Sequence, residues 1–136
     1  MTREEIYHEM EETFGTVPST FGHIPDEFLE QEWSLWKRLR MTETAIPTRE
    51  KALISLGIAA ANRDWLQCVL QSEFAKMHGA TEEQIREVAY LAKQGVGWLP
   101  YVCANQITEE ERKEQFDKMI EHCRGRAEEH AAAASV

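Results

Sequence analysis

The sequence has almost no alternating apolar–polar stretches of the kind that mark half-buried strands, so a β-sandwich or barrel is excluded from the start. It has no apolar run of the roughly 18 residues that a membrane-crossing helix requires, and no basic-then-apolar start resembling a signal peptide. A cytoplasmic location with no membrane partner is therefore expected. Cysteine is sparse: Cys68, Cys103 and Cys123 are odd in number and widely spaced, with no Cys-x-x-Cys. A disulfide framework is excluded on that pattern and reduced thiols are the default. The Glu-His-Cys123 grouping is too thin for a metal site, and none is expected. Positive charge is scarce where it would matter for nucleic acid. Residues 1–32 carry nine acids (Glu4, Glu5, Glu9, Glu11, Glu12, Asp26, Glu27, Glu30 and Glu32) against Arg3 alone, within a net charge of −9. Such a face repels phosphate backbones, so no nucleic-acid partner is expected.

What remains is helical. At 136 residues with 43% hydrophobic side chains, the chain is long enough for one domain with a real core. Thr2-Arg-Glu-Glu5 is a capping box opening a first helix that Gly15 can end, and Val17 to Ile24 reads as a loop around Pro18. Pro25-Asp26 starts a helix with Phe28, Leu29, Trp33, Trp36 and Leu39 on one stripe. Pro47 starts another whose residues, from Ala52 to Ala61, are apolar nearly all round, which predicts burial on most sides. After a break at Asn62-Arg63 comes the helix WLQCVLQSEFAKMHG, with Gly79 past its end. Thr81-Glu-Glu-Gln84 is a second capping box, for a helix with Ile85, Val88, Ala89 and Ala92 facing inward. Gly95, Gly97 and Pro100 break GVGWLPYV into an expected loop. Thr108-Glu-Glu-Glu111 caps a last helix through Phe116, Met119 and Ile120. Residues 125–136 have no apolar stripe and are expected to fray. The expectation is all-α: a single domain over residues 1–124, of about six helices.

The segment that asks for a function is NRDWLQCVLQSEFAKMHG, where Asp64, Gln67 and Gln71 interrupt an apolar helix at helical spacing. Together with FGTVPSTFGHIPDEFLEQEW before it, PTREKALISLGIAAANR, and GATEEQIREVAYLA after it, this segment resembles the carboxymuconolactone decarboxylase family, including its alkylhydroperoxidase D-like (AhpD-like) branch. The resemblance covers about the first three-quarters of the chain. It implies an all-α AhpD-like fold assembled as a homotrimer or homohexamer, with no cofactor. In the peroxidase branch a Glu, a Cys-x-x-Cys and a His do the work. A gapless alignment from Gly79 backwards puts Ala52 at the Glu, Asp64 and Gln67 at the two thiols, and Gln71 at the His. Cys68 stands one residue off. A dithiol cycle needs an attacking thiolate at the helix N-terminus and a resolving thiol beside it, and neither position holds sulfur.

Three functions follow as expectations. One is a cofactor-independent small-molecule enzyme akin to the decarboxylase branch, acting on a small organic acid or lactone. Asp64 would be its acid or base, Gln67 and Gln71 would orient the substrate, and Trp65 and Trp98 would wall the pocket, with His23 within reach from its loop. The second is a non-catalytic oligomeric binding or scaffold protein. The third is a single-thiol peroxidase using Cys68. Each residue also has a structural reading. Asp64 and Gln67 form an Asp-x-x-Gln capping box, and Gln71 is placed to bond its neighbour one turn back. Cys68 reads equally as a small buried hydrophobe, and His78 as a helix C-terminal residue. Trp65, Trp98 and Tyr101 read as core or interface. The GVGWLPYV segment with Trp33 and Trp36 offers more apolar surface than a small monomer readily hides, which predicts a symmetric oligomer.

Overall fold

A computed structural model describes residues 1–135 as seven helices. They are α1 (Arg3–Phe14), α2 (Ser19–Gly22), α3 (Asp26–Met41), α4 (Thr48–Ala61), α5 (Trp65–Met77), α6 (Glu82–Ala104) and α7 (Glu109–Ala134). No strand occurs among the described residues. The chain divides into two compact units, Met1–Tyr90 and Leu91–Val136, so the boundary falls inside α6. No shift in composition announces that boundary.

The first unit is built around an aromatic core. Ile6 and Met10 of α1, Phe21 of α2, and Leu29 and Trp33 of α3 are its buried residues. Phe14 meets Trp36 edge-on at 5.0 Å, and Trp33 stacks on Trp36 at 5.7 Å. Trp33 is only 1% exposed and Trp36 is half-buried. These two rings are thus core, and the apolar surface expected of them lies elsewhere. Phe28 and Leu39, expected on the same stripe, are exposed. Polar ties pin α1 to α3. Glu9 Oε2 accepts from Trp33 Nε1 at 2.8 Å and from Lys37 Nζ at 2.8 Å. Arg3 donates to Asp26, to the Tyr7 hydroxyl, and to the Ile24 carbonyl at 2.5 Å.

The α4–α5 hairpin packs through small residues. Ala52, Ala75 and Ala80 are buried together, with Leu53 and Phe74 against them. Small side chains let two helix backbones approach closely, and here they leave the larger apolar residues outside. Ile54 and Ile58 on α4, and Leu66, Val69 and Leu70 on α5, are all exposed. The expected all-round burial of α4 is therefore corrected to one buried face, of Ala52, Leu56 and Ala59, because α5 covers only that side. The connection is tight. Arg63 takes φ 57°, its N–H bonds the Ala60 carbonyl at 3.1 Å, and the Asp64 N–H bonds the Ala59 carbonyl at 2.9 Å. Gly79 follows α5 with φ 90°, where a side chain would be strained.

Two expectations change in the second half. GVGWLPYV is not a loop: α6 runs through Gly95, Gly97 and Pro100 without a break. Ending and restarting a helix there would require a second costly nucleation, and continuous propagation outweighs the local breakers. Helix α7 likewise continues through the segment expected to fray, as far as Ala134. Neither α6 nor α7 contains a buried residue. Leu91, Val96, Trp98, Leu99, Tyr101, Phe116, Met119 and Ile120 are all exposed. No helix among the described residues is long and apolar enough to cross a membrane.

Candidate functional site

The polar stripe begins as a helix cap. Asp64 precedes α5, and its Oδ1 accepts from the Gln67 backbone N–H at 3.1 Å. A complete capping box would also turn the Gln67 side chain back onto the Asp64 N–H. That N–H is already held by the Ala59 carbonyl, so the Gln67 side chain turns the other way. Its Oε1 accepts from Gln71 Nε2 at 3.2 Å. The cap at Asp64 thus sets Gln67, and Gln67 sets Gln71. At 7% exposure Gln71 is the buried polar residue of the described chain. Burying an amide among apolar atoms is costly unless it is bonded, and Gln71 uses one of its amide hydrogens on Gln67.

Gln71 lines a cavity of about 280 Å³. Four helices of the first unit build it, three of them through residues one helical turn apart. Thr13 and Phe14 come from the end of α1, and Trp36, Arg40 and Met41 from the last turns of α3. Thr48, Lys51 and Ala52 come from the first turns of α4, and Phe74, Met77 and His78 continue the Gln71 face of α5. The walls are mostly apolar and aromatic, and no carboxylate is among the lining residues. Arg40 donates to Ser55 Oγ at 2.6 Å and Lys51 to the Thr42 carbonyl at 3.1 Å. Glu43 stands at the α4 N-terminus, where its Oε1 accepts from the Thr48 hydroxyl at 2.7 Å and from the Thr48 N–H at 3.3 Å. These bonds, and Lys51 at longer range, hold its carboxyl below the ordinary carboxylate range.

Of the seven candidate residues, the structure brings Gln71 alone to the cavity wall. Asp64 and Gln67 are exposed and stand one step behind it. Trp65 is 77% exposed on the first turn of α5, and half-buried Cys68 is outside the lining. His23 is exposed at the end of α2. Trp98 belongs to the second unit, where it meets Tyr101 edge-on at 5.8 Å and is 54% exposed. No group of three or more His, Cys, Asp or Glu that could hold a metal occurs among the described residues. Sequence reasoning passed over Arg40, Lys51 and Phe74. Their signal is a pair spaced three or four residues apart on each of three helices, which is also the signal of an ordinary core face.

The fold is thus an all-α one with a closely packed helical hairpin and a cavity beside it, lined in part by the hairpin's one buried amide. The sequence profile of the carboxymuconolactone decarboxylase family matches residues 27–110, which includes α3 from its second residue and α4, α5 and α6 entire, and the chain belongs to that family. In structure it is similar to the alkylhydroperoxidase AhpD core from Rhodospirillum rubrum, at a TM-score of 0.63 and 20% identity. The similarity covers 77% of this chain and 80% of that one, and it establishes the AhpD-like fold. No curated protein matches the sequence significantly.

Proposed function

We propose that this chain is a cofactor-independent small-molecule protein of its family, holding its ligand in the Gln71 cavity without any dithiol step. The observation that carries the reading is the chain of contacts from Asp64 through Gln67 to Gln71, which fixes one buried amide at the wall of a cavity. An amide neither gives nor takes a proton near neutral pH, so its role there is orientation. In the gapless family alignment, Ala52 and Gln71 stand where the peroxidase branch keeps its Glu and His, and both line this cavity. The loss of a long carboxylate at Ala52 leaves room where a proton relay would stand. Binding is the reading favoured here over turnover, because the Asp64 carboxylate is spent on the helix cap and is outside the lining. Acid–base turnover on a small organic acid or lactone stands second. One observation favours it: His78, the residue type most often used for acid–base work, is part of the wall.

The test is a thermal-shift panel of small organic acids and lactones against the parent and Gln71→Leu. At least one compound should raise the parent melting temperature, and the variant should lose most of that rise. If no compound separates the two proteins, Gln71 is not a ligand contact. Peroxide reduction coupled to dithiothreitol or lipoamide should be no faster for the parent than for Cys68→Ser. Turnover that depends on Cys68 and a second cysteine would restore the thiol reading.

We further propose that the protein is a homotrimer or homohexamer. The exposed apolar faces of α4, α5, α6 and α7 support this, being larger than a monomer of this size ordinarily leaves in water.

A further inference from the structure

We infer that the cavity takes a small aromatic carboxylate, an inference that rests on reading the cavity as a ligand site. The charge on its wall is the first ground. In a protein of net charge −9, the cavity is lined by Arg40 and Lys51 and by no acid. Elsewhere on α3 to α5, Lys37 pairs with Glu9, Arg49 with Glu50, and Lys76 with Glu73 and Glu82, while Arg38 and Arg63 are exposed. Arg40 and Lys51 form no ion pair among the described residues, and their bonds are to a neutral hydroxyl and a neutral carbonyl. Glu43 is the acid that acts on Lys51 at longer range, and both its protein bonds go to Thr48. Two half-buried cations held by neutral acceptors keep donors available for an incoming anion, and a guanidinium fork suits a carboxylate.

The body of the cavity sets the rest of the ligand. Phe14 and Trp36 stand edge-to-face at 5.0 Å, and Phe74 adds a third ring to the wall. Aromatic walls favour a flat ring, through offset and edge-to-face contacts that add to its burial. The volume of about 280 Å³ is at the small end for ligand pockets, which suits a single ring with one acidic group. Gln71 can accept from, or donate to, a further polar substituent on that ring.

The experiment is calorimetric binding of benzoate to the full chain, compared with benzamide, cyclohexanecarboxylate and acetate. Benzoate should bind, with benzamide and acetate each at least tenfold weaker, and its affinity should fall as salt rises. Arg40→Gln and Lys51→Gln should each weaken benzoate about tenfold while leaving benzamide unchanged, and Arg40→Lys should restore part of the loss. Lys51→Gln carries the charge test if Arg40→Gln proves unfolded by circular dichroism. Benzamide binding as tightly as benzoate, with dependence on Gln71, would overturn the anion inference and leave the ligand site standing. Acetate or cyclohexanecarboxylate binding as tightly as benzoate would overturn the aromatic half. If benzoate does not bind at millimolar concentration the inference is wrong, and the organic acid and lactone panel then decides the cavity separately.

Discussion

Residues 1–90 and 91–136 are both helical, yet they are stabilised in different ways. The first unit contains every buried residue of the described chain, and its large apolar side chains Ile6, Met10, Leu29 and Trp33 are at most 1% exposed. The second contains none, although Trp98, Leu99, Tyr101, Phe116 and Ile120 are as apolar as anything in the first. Composition alone therefore does not make a core. The first unit brings short helices together at their apolar faces, whereas the second spends the same residue types on the outside of two long helices. The proposal above is that a second copy of the chain covers that apolar surface.

The sharpest test of this contrast compares two tryptophans. Trp33→Ala empties the middle of the aromatic core and should cost about 3–5 kcal/mol, measured by denaturant unfolding. Its loss of melting temperature should be the same at any protein concentration. Trp98→Ala should leave the folded single chain within roughly 0.5 kcal/mol of the parent. It should instead shift the mass seen by light scattering from the assembled value towards 15.7 kDa, with a melting temperature that depends on concentration. A parent that already scatters as 15.7 kDa at micromolar concentration would remove the oligomer proposal.

A smaller effect sharpens the description of the first unit's core. Glu9 accepts from Lys37 and from the Trp33 indole, and these two bonds, Lys37 first, hold its carboxyl below the ordinary carboxylate range. A folded-state value below the unfolded one means that stabilisation is present above the unfolded pKa of about 4.3 and is lost as pH falls through the folded value. The carboxylate is 36% exposed, so solvent screens the pair and the gain is a few tenths to about 1 kcal/mol. Glu9→Gln should be less stable than the parent by that amount at pH 7, and the gap should close below about pH 4. A gap of the same size at pH 3 in urea titrations would mean that the charge plays no part.

Local signals in the sequence carried the helix ends well, and long-range ones carried the site poorly. Thr2 and Thr81 form reciprocal capping boxes, as their spacing predicts. Gly15 and Gly79 adopt the left-handed conformation expected past a helix end. Such features involve residues within one turn of each other, so a single sequence contains all their partners. Pro100 misled because a helix breaker states a local cost, while helix continuity is decided over many residues. The cavity was illegible for a different reason. Arg40 and Lys51 reach one wall only once α3 and α4 are folded together, and in sequence each reads as an ordinary solvated cation. Gln71 was legible as an oddity, a polar residue on an apolar helix, and that oddity is what the structure places at the cavity.

An effect of similar size concerns Asp64, and it decides whether the cap serves the fold alone. As N-cap of α5, its side chain satisfies the Gln67 N–H, so Asp64→Ala should cost about 1 kcal/mol and Asp64→Ser or Asp64→Asn much less. All three measurements are thermal or urea melts at neutral pH. Equal stability of the Ala and Asn variants would end the capping account. The Asn variant separates fold from site more finely, since it retains a capping oxygen while removing charge and titration. If Asp64 only positions Gln67, Asn should preserve ligand binding in the Gln71 cavity along with stability. An Asp64→Asn protein that melts like the parent but no longer turns over or binds its ligand would give the carboxylate a role of its own. Asp64 would then act beyond its cap, and the enzyme reading would displace the binding one.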